Sequence, residues 1–237
     1  MRTVKRETKI FIEIIVVILI FSSAVFVYRS YRRGSAQLPK NTKAEQDPFS
    51  EAPLVSEKKQ GKYYSMDISY PSSSSTPEIQ VYIDLVKQGF LDSIPKTESD
   101  AKFENLGGDR IYNLTSIAKV AHSSSTVSYV LETYQFTGGA HGNTSITTFT
   151  YDRKGKLLSL GDVLKSSDIF SKLSSASREY FYNKFPDQDK SQIDTGTEPK
   201  PENFSTWYID GGKIIFVFGQ YSIGPYVLGI QEFPFAL

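Results

Sequence analysis

The sequence predicts an α+β fold: a largely antiparallel sheet with two main helices, preceded by a single transmembrane helix. Three observations lead there. From residue 62 onward most apolar residues alternate with polar ones, the period-two pattern of half-buried strands. Two stretches, 77–94 and 167–185, switch to the spacing of an amphipathic helix. Residues 10–28, IFIEIIVVILIFSSAVFVY, form one apolar run whose single charge is Glu13. The 15 tyrosines and 16 phenylalanines also favour sheet.

The N-terminal elements come first. At about 1.5 Å of rise per residue, roughly 20 residues cross the hydrocarbon core of a bilayer, so residues 10–28 are read as a transmembrane signal-anchor. Arg2, Lys5, Arg6 and Lys9 precede it, while Arg29, Arg32 and Arg33 follow. That four-to-three bias assigns residues 1–9 to the cytoplasm and the C-terminal body to the extracytoplasmic side. Ser22-Ser23-Ala24 offers the small residues of a cleaved signal peptide, the alternative reading. The apolar run continues past them through Val25, Phe26 and Val27, which favours retention. Residues 29–60 carry Ser, Gly, Gln, Asn, Pro and mixed charge without apolar periodicity, the composition of a flexible linker.

The folded part divides into a small strand–helix subdomain, 61–105, and a C-terminal domain, 106–237. In Lys62–Tyr70 the residues Tyr64, Met66, Ile68 and Tyr70 share one face of a strand. Ser75 with Glu78 fits a capping box and Pro77 suits a first helical turn. Ile79, Ile83, Val86, Phe90 and Ile94 then form the apolar stripe of a helix over 77–94, closed by Pro95. Strands follow at 109–121, 125–136 and 144–151. In the middle one, Val127, Tyr129 and Leu131 oppose Val130, Tyr134 and Phe136, so both of its faces are expected to be partly covered. Asp152–Lys156 is a turn into a short strand, Leu157–Leu160. Ser167 is expected to cap the second helix, whose stripe is Ile169, Leu173, Ala176, Tyr180 and Phe181. Residues 186–202, polar and with three prolines, read as a surface loop. Phe204–Ile209, the Asp210-Gly211-Gly212 turn and Lys213–Phe218 form a hairpin, and a last strand is expected near 226–233.

Composition excludes several functions. There is no cysteine, so thiol catalysis, cysteine-ligated zinc and disulfides are all ruled out. Residues 1–59 hold 11 Lys+Arg against 6 Asp+Glu, a net of +5, and residues 60–237 hold 16 against 20, a net of −4. The folded part therefore lacks the basic face that nucleic-acid binding needs.

Chemistry concentrates in Thr137-Gly138-Gly139-Ala140-His141-Gly142-Asn143, between two strands. Residues 138–142 hold three glycines and one of the chain's two histidines. As a general base, His141 would need a partner from Asn143, Thr144 or Asp152. As a metal ligand it would need two or more companions, and only His122 adds a second imidazole. No His-x-Glu, His-x-x-x-His or Gly-x-Ser-x-Gly pattern occurs. The glycines lack the Lys-Ser/Thr of a phosphate-binding loop, so they read as a special turn. Tyr221, Tyr226 and Trp207 are aromatic candidates for a sugar or protein platform; for Trp207, in a hairpin strand, core packing is the plainer reading.

The residues Thr137–Gly142, Tyr151-Asp152 with Gly155-Lys156, and Leu160-Gly161-Asp162-Val163-Leu164 resemble a known family. It is the bacterial domain of unknown function at the C-terminus of RsiV-type lysozyme-sensing anti-sigma factors and of PdaC-like proteins. Tyr221-Ser222-Ile223-Gly224-Pro225-Tyr226 with Gly229 is similar to its closing motif, and residues 62–95 resemble the small PdaC-type domain that precedes it. The resemblance implies an extracytoplasmic domain on a single-span anchor, with lysozyme as the ligand of RsiV-like members. With about nine residues ahead of the apolar run, sigma-factor binding of the RsiV type is not expected, and deacetylase activity is not expected to carry over from the PdaC-like members. In a bacterial chain the glycosylation patterns at Asn113, Asn143 and Asn203 are coincidental.

The expectation is a membrane-anchored extracytoplasmic binding module of the cell envelope rather than an enzyme. Its ligand would be a lysozyme-like protein or a cell-wall glycan, held by Gly138, Gly139, His141, Asn143, Tyr221 and Tyr226, without catalytic residue, metal or cofactor. The alternatives are a cell-wall-acting enzyme using His141 with a nearby carboxylate, or a purely structural envelope protein.

Overall fold

The computed structural model describes residues 52–72, 76–97 and 111–237. The apolar segment 10–28 and residues 29–51 lie outside the described residues. No described helix is long and apolar enough to cross a membrane.

Eight strands make two sheets. The first has five strands in the order β1 (Leu54–Gln60), β2 (Tyr64–Pro71), β3 (Tyr112–His122), β4 (Thr126–Phe136) and β5 (Asn143–Asp152). All of its pairings are antiparallel except β2–β3, which is parallel. A parallel pair cannot be joined by a tight turn, and the helix α1 (Pro77–Ser93) lies in that crossover. The sheet therefore runs continuously across the expected 105/106 boundary. The second sheet is β6 (Trp207–Asp210), β7 (Lys213–Phe218) and β8 (Gln231–Ala236), all antiparallel.

Side-chain alternation stacks these elements into layers. Val127, Tyr129 and Leu131 of β4 face Ile79, Ile83 and Phe90 of α1, all nearly inaccessible to solvent. Val130, on the other face, joins Ala121, Tyr208 and Val217 between the two sheets. The outer face of the second sheet, with Ile209, Ile214, Phe216, Phe218 and Phe233, is covered by Leu173 and Phe181 of α3 (Ile169–Lys184). The order is helix, sheet, sheet, helix. The double coverage expected for 125–136 is present in β4.

Several local expectations are corrected. Residues 54–60, read as linker, form the edge strand β1. Its side chains are almost all exposed, so ladder hydrogen bonds hold it and no apolar pattern marks it. The helix cap at 76 is Thr76, without a side-chain cap bond, and Ser75 lies outside the described residues. Residues 157–160 contribute one bridge, Tyr151–Leu157, and then enter the short helix α2 (Leu160–Val163). Its capping box joins Ser159 and Asp162; the Lys156 ammonium and Ser159 hold the Asp162 carboxyl well below the ordinary carboxylate range. The N-cap of α3 is Asp168, not Ser167. Residues 186–202 are no open loop: α4 (Lys190–Gly196) buries Ile193, and a 3-10 turn (Pro201–Phe204) buries Phe204. The last strand starts at Gln231, after a second 3-10 turn, Tyr226–Leu228.

Candidate functional site

The β4–β5 connection, residues 137–142, is built by its glycines. Gly138 and Gly139 have φ of +93° and +91°, a region that side chains with Cβ rarely adopt. Gly142 is buried against the ring of Tyr134, where an added Cβ would fall 2.4 Å from the ring's Cζ. The turn thus brings His141 out beside the segment that follows β7. There Tyr221 is the one non-glycine with positive φ among the described residues, at +64°. A left-handed backbone costs a non-glycine residue about 1–2 kcal/mol, and local packing must hold it.

The structure brings the two segments together. The rings of His141 and Tyr226 lie 4.3 Å apart between centroids at 35°, and Tyr221 and Tyr226 lie 5.6 Å apart. Tyr226 donates its hydroxyl to the Gly142 carbonyl at 3.3 Å, and the His141 Nδ1–H donates to the same carbonyl at 2.9 Å. That tautomer leaves Nε2 as an acceptor toward the Tyr221 hydroxyl, 3.5 Å away. A fourth link runs from the Thr144 backbone N–H to Gln220 Oε1, at 3.1 Å. Tyr221 remains 59% exposed and Val227 85%, so the cluster is an open face rather than a pocket. Asn143 sits exposed at the first residue of β5, and among the described residues no hydrogen bond joins it to the rings. Sequence reasoning missed Gln220 and Val227; neither carries a local signal.

The other candidates weighed in sequence lie elsewhere. His122 ends β3, and Asp152 ends β5, opposite Thr126. Both sit at the far end of β4 from His141, about 30 Å away at 3.4 Å per strand residue. Trp207 is buried in the core beneath α3. No group of three metal-ligating side chains occurs among the described residues.

Beside the aromatic face runs an open groove of about 590 Å³, lined by Ile117, Lys119, Glu132, Ile146, Gln220 and Glu232 among others. Its first-sheet wall is formed by Ile117, Lys119, Val130, Glu132 and Ile146. Tyr208 crosses the boundary between the two sheets: its hydroxyl donates to Glu232 at 2.9 Å, and burial pushes its acidity constant well above the ordinary tyrosine range.

Residues 57–144 match the family model "Deacetylase PdaC", and residues 161–236 match that of a protein of unknown function, DUF3298. A PdaC-type region thus precedes a DUF3298 region, the arrangement that the sequence motifs implied. A curated relative, the peptidoglycan-N-acetylmuramic acid deacetylase PdaC of Bacillus subtilis (strain 168), is 38% identical over 118 residues. Those residues are 48% of this chain and 25% of that protein, so the chain spans about a quarter of its relative's length. Two crystal structures share the fold. A DUF3298 family protein from Pseudomonas aeruginosa PAO1 is 22% identical with a TM-score of 0.51, and a member of that family from Bacteroides fragilis is 17% identical with 0.54. In each comparison 78% of this chain and 90% of the other are covered.

Proposed function

We propose that this chain is a membrane-anchored, extracytoplasmic binding module of the bacterial cell envelope. It recognises a cell-wall-associated ligand, a lysozyme-like hydrolase or a glycan, through the face made by His141, Tyr221 and Tyr226. The PdaC-type and DUF3298 regions support the cell-wall setting. One observation carries the assignment of the face: Tyr221 keeps an unfavourable backbone while its ring stays largely in solvent. Burial does not repay that conformation, and strained, exposed aromatics suit recognition. Binding on this reading is shape and hydrogen-bond complementarity, with no bond made or broken.

The relative's name favours a second reading, in which the chain takes part in peptidoglycan deacetylation. Titration of the full chain in detergent with lysozyme, and separately with soluble peptidoglycan fragments, separates these. Saturable binding of either, lost in Tyr221→Ala, supports the module. No binding of either up to about 100 µM, far above the range of specific interfaces, overturns it. Acetate released from the fragments and abolished by His141→Ala would establish the enzyme instead.

A further inference from the structure

The groove beside the aromatic face carries a separate inference, which stands whatever the rings recognise. In β5 the even-numbered residues point their backbone groups away from β4. Leu158 N–H donates to the Thr150 carbonyl, Asp152 N–H donates to Lys156, and Thr144 N–H is taken by Gln220. Ile146 and Thr148 share that direction, and among the described residues their outward N–H and C=O groups have no backbone partner. A short stretch of sheet edge is therefore open, bounded by Gln220 at one end and Leu158 at the other.

The side chains above this edge define what would fit. Ile117, Glu132 and Ile146 lie in one row across β3, β4 and β5, directly opposite one another in the registers. Ile117 is 61% exposed, and Glu132 is exposed between the two isoleucines. The lysines of the groove are engaged. Lys119 reaches the Tyr208 hydroxyl at 3.5 Å, and Lys184 donates to Gln231 Oε1 at 2.9 Å. Glu232 accepts from Tyr208. Among the described residues Glu132 has neither ion-pair nor hydrogen-bond partner, so it is the groove carboxylate left unengaged, flanked by Ile117 and Ile146.

We propose that the groove docks an extended peptide strand, which adds to β5 at Ile146–Thr148 and lays an arginine or lysine stem over Ile146 toward Glu132. The dimensions agree. A strand added to β5 lies two strand spacings from β4, about 10 Å. Basic side chains bury their methylenes on apolar surface while the charged head reaches a partner. Main-chain bonds would supply affinity and the carboxylate selectivity, as in other strand-addition complexes.

The test uses the full chain in detergent and three fluorescently labelled, capped pentapeptides. These are Thr-Val-Arg-Val-Thr, the same peptide with Glu in place of Arg, and the Arg peptide with alternate backbone nitrogens methylated. The expected result is saturable binding of the first alone, about tenfold weaker in Glu132→Gln and unchanged in Tyr221→Ala. Glu132 is exposed, so that substitution leaves the fold intact. Equal binding of the Glu peptide or of the methylated peptide overturns the proposal. So does indifference to Glu132→Gln, or no saturation by about 1 mM.

Discussion

The Tyr221 hydroxyl lies 3.5 Å from Nε2 of His141, across 80 residues of sequence. Both rings rest on Tyr226, whose hydroxyl shares the Gly142 carbonyl with the His141 Nδ1–H. A single carbonyl oxygen thus anchors two of the three rings, and the Gln220–Thr144 bond ties their chain segments together. The pairing therefore rests on few bonds, and its energetics can be separated from the fold.

Tyr221→Gly makes that separation. Glycine adopts φ of +64° without the left-handed cost, while flexibility gained in the unfolded chain offsets part of the benefit. Stability should stay within about 1 kcal/mol of the parent by urea denaturation, while any ligand of the aromatic face is lost. A loss of several kcal/mol would mean that Tyr221 is structural.

Gly142→Ala should act in the opposite way. The new Cβ would fall 2.4 Å from Tyr134 Cζ, closer than packed atoms allow, and the ring must move. The cost is about 1–3 kcal/mol in thermal or urea unfolding. Gly142→Ala with Tyr134→Ala should recover part of it by removing the ring in the way. Additive losses in the double variant would show that the clash is not the cause.

Legibility in the sequence follows how each element is held. α1, β2 and β3 announce themselves because each buries one face, and burial writes a period into the chain. β1 is silent because its exposed side chains leave the work to the backbone. Residues 186–202 read as polar loop because, in the short helix within them, only Ile193 and Gly196 are buried. The glycine turn at 138–142 was legible as a special conformation, since its backbone demands glycine. That it meets Tyr221 and Tyr226 is geometry from the layered sheets, which no local pattern encodes. Glu132 has a faint signal, a charge among the apolar residues of β4.

Ser128 is a buried polar link between the two sheets. Its hydroxyl is fully buried, accepts the Ile209 N–H at 3.1 Å, and lies 3.0 Å from Thr150 Oγ1 and 3.2 Å from the Ile209 carbonyl. Ser128→Ala strands the buried Ile209 N–H, which costs about 1–3 kcal/mol. Hydrogen exchange at Ile209 should accelerate ahead of amides in β2 and α1. Unchanged exchange there would show that the hydroxyl contributes nothing to the contact.

The same logic gives β1 a pH dependence. Its Glu57 accepts from Lys87 Nζ at 2.7 Å and from the Tyr70 hydroxyl at 2.6 Å. These partners, Lys87 first, hold the Glu57 carboxyl below its ordinary value of 4.5, while the hydrogen bond to Glu57 lifts Lys87 above 10.5. A depressed carboxylate stabilises the fold fully above 4.5, and the gain is lost as pH falls through the lower folded value. A raised lysine stabilises fully below 10.5, and its gain is lost as pH rises through the higher folded value. With Glu57 34% and Lys87 22% exposed at the side chain, solvent screening limits the pair to about 1 kcal/mol. Glu57→Gln should therefore lower stability by no more than that between pH 5 and 10, about 2–4 °C in Tm for a domain of this size. The gap to the parent should narrow below pH 4.5 and again above 10.5. A gap that stays constant from pH 3 to pH 7 would assign the loss to packing around Tyr70 rather than to the ion pair.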